Sequence, residues 1–232
     1  VYFMPKNKAN LLSLSKAQAF VGKLGFTTTP RQISTTLYRW IDLRSPLRTI
    51  EMDIVSNHFK LNYAYVHDLT LFAERQIPSP QAAISETLTF FQLVNLPTQD
   101  LDVARPVITY LKLVGDKLEP TTSQSQADAV RINLFRRDYD GMKVLTDDSS
   151  QSIVTIIFSG SKRTDKRILS IDYAYWPIDA KNVGAYKLKT SETAYEELKL
   201  GNAYIVKLPV NQTQIAITTA YLAYYDSREP QL

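Results

Sequence analysis

The sequence predicts an α+β fold made of two modules, each with an amphipathic helix or helices packed on a twisted antiparallel β-sheet. Three observations lead there. Fourteen Tyr and nine Phe among 232 residues, with many Ile, Val and Thr, favour strands over helices. Runs with apolar residues at period two recur between turn signals. Stretches of helical spacing with cap residues precede each group of strands. A content of 44% hydrophobic and 22% charged residues suits a chain that buries a core.

Taken in order, residues 1–13 read as a lead-in without regular structure. Ser15-Lys-Ala-Gln18 has capping-box form, and Ala17, Phe20, Val21 and Leu24 follow at helical spacing, so a helix is predicted over 15–24 with Gly25 as its stop. Runs 35–41, 47–55 and 59–65 read as a three-stranded meander. The boundary between modules is placed at 71–80, giving modules 1–75 and 76–232. Ser79 and Pro80 then suit the cap and first position of a helix over 80–94, with Ile84, Leu88 and Phe91 on one stripe. The apolar run 103–114 reads as a further helix starting near Arg105, because Pro106 is tolerated only at a helix start.

Strand character returns over 126–135. Asp140-Gly141 marks a hairpin, since Gly accepts positive φ without steric cost. The run 151–158 is apolar on both faces and should be a central strand. Residues 167–176 form a strand with Leu169, Ile171, Tyr173 and Tyr175 on one face. Ser191 to Leu200 reads as a short helix stopped by Gly201. Runs 203–208 and 214–225 read as a closing hairpin joined by 209–213.

No chemistry is announced. The chain has no Cys, which removes disulfides, zinc–thiolate sites and a thiol nucleophile. His58 and His67 sit at the two ends of a strand, too far apart for a helical metal pair, and read as turn residues. The glycines lack the spacing of a phosphate loop, and no Gly-x-Ser-x-Gly elbow is present. Asp138-Tyr-Asp140-Gly141 starts like a calcium loop, but position 12 is Ser149 rather than an acid. Asp147-Asp148 reads as a solvated pair, and Asn211-Gln-Thr213 as a turn with the form of a glycosylation acceptor. We therefore expect no catalytic, cofactor or metal site.

The formal charge of +4 is mild. Arg136-Arg137, Lys162-Arg163 and Lys166-Arg167 alternate with acids, so no nucleic-acid partner is expected. Tyr221, Tyr224, Tyr225 and Arg228 are the candidate contact residues for a protein partner, because Tyr offers an apolar body and a polar tip. No run reaches the roughly 18 apolar residues of a membrane span. The start at Val1 and the stop just after a strand suggest a piece of a longer protein.

Ile168 to Tyr175, the Thr190-Ser-Glu-Thr-Ala-Tyr-Glu-Glu-Leu-Lys-Leu-Gly201 helix and Ile215-Ala-Ile-Thr-Thr-Ala-Tyr-Leu-Ala-Tyr-Tyr-Asp226 together resemble the YycH/YycI family. The unit is also similar to PepSY-like helix-on-sheet modules. The resemblance covers about a third of the chain. It implies an extracytoplasmic domain of a bacterial envelope protein, tethered by an upstream membrane segment, that regulates a sensor kinase by protein contact. The alternative class is a secreted or cell-envelope hydrolase using paired carboxylates, which needs two carboxyl groups roughly 5–10 Å apart in a cleft.

Overall fold

The computed structural model describes residues 1–4, 10–146, 152–205 and 216–226. In chain order the elements are β1 (Tyr2–Phe3), α1 (Ser13–Lys23), β2 (Arg31–Gln32), β3 (Leu37–Ile41), β4 (Arg48–Asp53), β5 (Phe59–Tyr63), α2 (Pro80–Val94), β6 (Val107–Val114), β7 (Lys117–Thr121), β8 (Ala129–Leu134), β9 (Val144–Thr146), β10 (Val154–Ser159), α3 (Thr164–Arg167), β11 (Ile168–Tyr173), β12 (Asp179–Val183), α4 (Ser191–Lys199) and β13 (Tyr224–Asp226). Nine strands form one antiparallel sheet in the order β2-β3-β4-β5-β11-β10-β8-β6-β7. The α+β class is as predicted. Strand β5 pairs with β11, so residues before and after position 75 share one sheet.

The core explains the arrangement. Trp40, Ile50, Met52, Phe59, Leu61, Val130, Ile132, Val154, Ile156, Phe158 and Ile171 alternate along their strands onto one face. Ala17 and Val21 of α1, with Ala83, Phe90, Phe91 and Val94 of α2, cover that face. The opposite face is polar across β3, β4, β5 and β11, whereas over β6 and β8 it carries Leu111 and Ala129 of a second apolar cluster. Paired residues Arg39, Glu51, Lys60 and Asp172 run across four strands with alternating charge. Like a one-sided antiparallel sheet, it leaves this row in water.

Helix α2 begins as predicted: the Ser79 hydroxyl accepts from the Ala82 N–H at 3.3 Å, with Pro80 in the first turn. The meander β3-β4-β5 and the central position of β10 also match. The Asp140-Gly141 turn is present, with Tyr139 and Met142 exchanging backbone hydrogen bonds of 2.8 and 2.9 Å.

Four expectations are corrected. Residues 107–114 are strand β6, not a helix, and they turn through Gly115 (φ 64°) into β7. Pro106 precedes a strand here, a position as tolerant of a missing N–H as a helix start, and the β-branched Val107, Ile108 and Thr109 decide for the strand. Ser15 does not cap α1, which starts two residues earlier, where Asn10 and Ser13 satisfy the turn. Leu169 packs with Tyr63, Leu71, Leu111 and Ala129 in a second cluster, apart from Ile171, Tyr173 and Tyr175. The register shift between Ile157 and Phe158 inserts one residue there, and a bulge re-aims its side chain. The closing hairpin is not seen among the described residues: 216–223 form no strand, and β13 pairs in parallel with β9. Residues 206–215, including Asn211, lie outside the described residues, as do Asp147, Asp148, Ser149 and Arg228.

Candidate functional site

Two places draw chemistry-bearing residues together or leave them exposed. The first is a junction built around Arg136, just past β8. Its side chain is 2% exposed, and Nε donates to the Asp226 carboxylate of β13. Nη2 donates to the Trp176 carbonyl at 2.8 Å and faces the Met4 sulfur at 3.7 Å. The Asp100 carboxylate lies 3.8 Å from Nη1 and accepts from the Tyr175 hydroxyl at 2.7 Å. The guanidinium sits 5.3 Å from the Tyr175 ring centroid. Burial, and then the hydrogen bond to Asp100, push the Tyr175 phenol well above its usual range, so it stays a neutral donor. One cation with two buried carboxylates thus ties together the first residues, the 100 region, the 176 region and β13.

Beside it Tyr2, Tyr139 and Tyr224 form a ring cluster, with centroids 4.5 to 6.4 Å apart and edge-on geometry. The Tyr2 hydroxyl donates to Asp140, and that bond raises its pKa. A cavity of about 20 Å³, lined by Phe135, Arg136, Val144, Leu145, Thr146, Ile153 and Asp226, adjoins the pair. It has room for about one water. Asp100 and Asp226 both face Arg136 and clamp its guanidinium.

The second place is the stretch leaving β12. Helix α4 is capped by the Thr190 hydroxyl, which accepts from the Thr193 N–H at 3.1 Å, and ends before Gly201 at φ 75°. Lys189 pairs with Glu197, and Lys199 with Glu196, both at 2.5 Å. None of its residues is buried. Tyr195, at its centre, is 53% exposed, and Tyr186, Leu188, Leu200, Tyr204 and Ile205 flank it in water. Half of the exposed large apolar side chains among the described residues lie between Val183 and Tyr225.

Three of the four residues expected to form a partner face are described. Tyr224 is half-buried in the ring cluster and acts in packing. Tyr221 and Tyr225 are exposed, and Lys143 sits 5.0 Å from the Tyr221 ring centroid. Arg228 falls outside the described residues. Members of the basic clusters pair with acids: the exposed Arg163 with Asp165 at 2.9 Å, Lys166 with Asp68 at 2.5 Å and Arg167 with Glu86 at 2.6 Å. Sequence reasoning missed Arg136 as a buried hub. The one signal was an arginine directly after an apolar strand, and it was read as part of a turn. Among the described residues, no three His, Asp or Glu side chains gather as metal ligands, and no helix is long and apolar enough to cross a membrane. No protein-family model, no curated protein and no solved structure matches the chain.

Proposed function

We propose that this chain is a non-catalytic domain acting through protein–protein contact, and that residues 184–205 are the arm that meets the partner. One observation carries this reading: α4 is amphipathic, well capped, and buries none of its side chains. A helix of nine residues is marginal in water, because nucleation is costly and helical stability comes mainly from packing an apolar face. Its ion pairs contribute only about 0.2–0.5 kcal/mol each. The stripe of exposed Ala194 and Tyr195 with half-buried Leu198 therefore calls for a cover, which a second protein supplies.

The finer reading is an extracytoplasmic domain of a membrane-anchored bacterial protein that regulates a sensor kinase. It rests on the resemblance of 168–175, 190–201 and 215–226 to the YycH/YycI family.

The test is a photo-crosslinking residue placed at Tyr195 in cells that make the protein, with a second placed at Lys60 on the polar sheet face as control. Discrete cross-linked species are expected from position 195 and not from 60. A Leu198→Glu change is expected to abolish them while the purified domain keeps its melting temperature. Equal cross-linking from both positions, or no effect of Leu198→Glu, contradicts the reading.

A further inference from the structure

Among the described residues, strand β13 is three residues long and pairs with β9 through Tyr224–Val144, Tyr225–Leu145 and Asp226–Thr146. Residues 216–223, which lead into it, form no strand. Among its contacts, Asp226 sits on the buried Arg136 and the Tyr224 ring packs against Tyr2 and Tyr139. We propose that β13 is an exchangeable strand. The edge of β9 together with Arg136 forms a groove that takes residues 224–226 of a second copy of this chain, in a reciprocal dimer where each copy's Asp226 pairs with the other's Arg136.

Three observations support the second copy as occupant. The groove is complementary to this sequence, because the chain's own strand fills it, and exchange between identical chains needs no new contact. Arg136 requires a carboxylate at the third strand position. Its side chain is 2% exposed, Nη1 has no hydrogen-bond partner among the described residues, and without Asp226 the one carboxylate of those residues facing it is Asp100, at 3.8 Å. Every copy brings that carboxylate in register. Finally, release of β13 costs no further regular structure in 216–223, and eight extended residues reach up to about 26 Å. The bared edge of β9 then presents unpaired N–H and C=O groups, a template for strand addition.

The closed form competes through its own tether. Tethering of this kind gives an effective concentration on the order of 1 mM, so exchange is expected to rise as the protein approaches it. The chain has no Cys, which makes the test clean. Two single-cysteine chains, Val144→Cys and Tyr224→Cys, are mixed and mildly oxidised, and the link is mapped by mass spectrometry.

The expected result is a 144–224 link between chains that grows at least about tenfold from ~10 µM to ~1 mM protein, and that disappears when the Tyr224→Cys chain also carries Asp226→Lys. Since Tyr224 belongs to the ring cluster, Leu145→Cys with Tyr225→Cys, the next pair in register, repeats the test at an exposed strand position. The absence of either inter-chain link at every concentration, while the doubly substituted chain Val144→Cys/Tyr224→Cys closes internally, overturns the proposal.

Discussion

Tyr173 carries the clearest residue-scale consequence. It is 3% exposed, its ring stacks on Phe59 at 5.2 Å, and its hydroxyl has no hydrogen-bond partner among the described residues. Burial pushes its pKa far up, so the group never ionises in the folded state. A buried hydroxyl without a partner carries its desolvation cost uncompensated. Tyr173→Phe is expected to raise stability by about 1 kcal/mol in urea unfolding, whereas a loss of stability would show that the hydroxyl has a partner. Gly160 is constrained by space. A Cβ there meets the Glu74 carbonyl at 2.5 Å and the Gln76 nitrogen at 2.7 Å, so Gly160→Ala must push the 74–76 backbone off the end of β10. A loss of about 2 kcal/mol or more is expected, and a neutral outcome would refute that contact.

Asp68 supplies the pH dependence at this scale. Burial alone raises its pKa. The Lys166 ammonium at 2.5 Å, with the Tyr63 and Thr70 hydroxyls at 2.6 and 2.8 Å, outweighs burial and holds the carboxyl well below its usual range. A carboxylate whose folded pKa is depressed stabilises the fold at pH above its unfolded value of about 3.9, and that stability is lost as pH falls through the folded pKa. Asp68→Asn is therefore expected to be less stable near neutrality and to lose less stability on acidification. Identical acid slopes for the two proteins would contradict the assignment.

At the scale of elements, the outcome shows which signals a lone sequence carries. Helix α2 was legible because Ser79 and Pro80 specify a start, but of the expected stripe Ile84, Leu88 and Phe91 only Phe91 is buried, the face turned inward holding Ala83, Thr87, Phe90, Phe91 and Val94. The meander was legible through period two and its turns, and β10 through apolar residues on both faces. Strand β6 was misread because Pro106 suits the first turn of a helix and the approach to a strand equally, and the deciding partner, β7, holds only the weak run Lys117–Thr121. Strand β13 was overextended backward, since Ala216 to Ala223 has strand-like composition yet meets no partner strand among the described residues. The bulge at Leu169 left no trace in the sequence, because it arises from register between two strands. Of the candidate face, Tyr221 and Tyr225 lie exposed as anticipated. Tyr224 packs instead, because Tyr2 and Tyr139, distant in sequence, converge on it. Helix α4 was foreseen as an element, though its lack of a partner within the described residues could be seen only in three dimensions.

At the scale of the whole molecule, one sheet joins residues 31–63 to 107–173 through β5 and β11, and two helices seal its apolar face. That body has a core and an internally paired surface. The arm 184–205 has ion pairs but no buried side chain in α4, and the proposed function assigns it to a partner. Residue-resolved hydrogen exchange on the purified domain compares the two most directly. If α4 depends on an outside partner, its amides exchange within a few-fold of unfolded-chain rates, while those of β5, β10 and β11 are slowed by several orders of magnitude. Protection of the 191–199 amides equal to that of β10 would contradict the account.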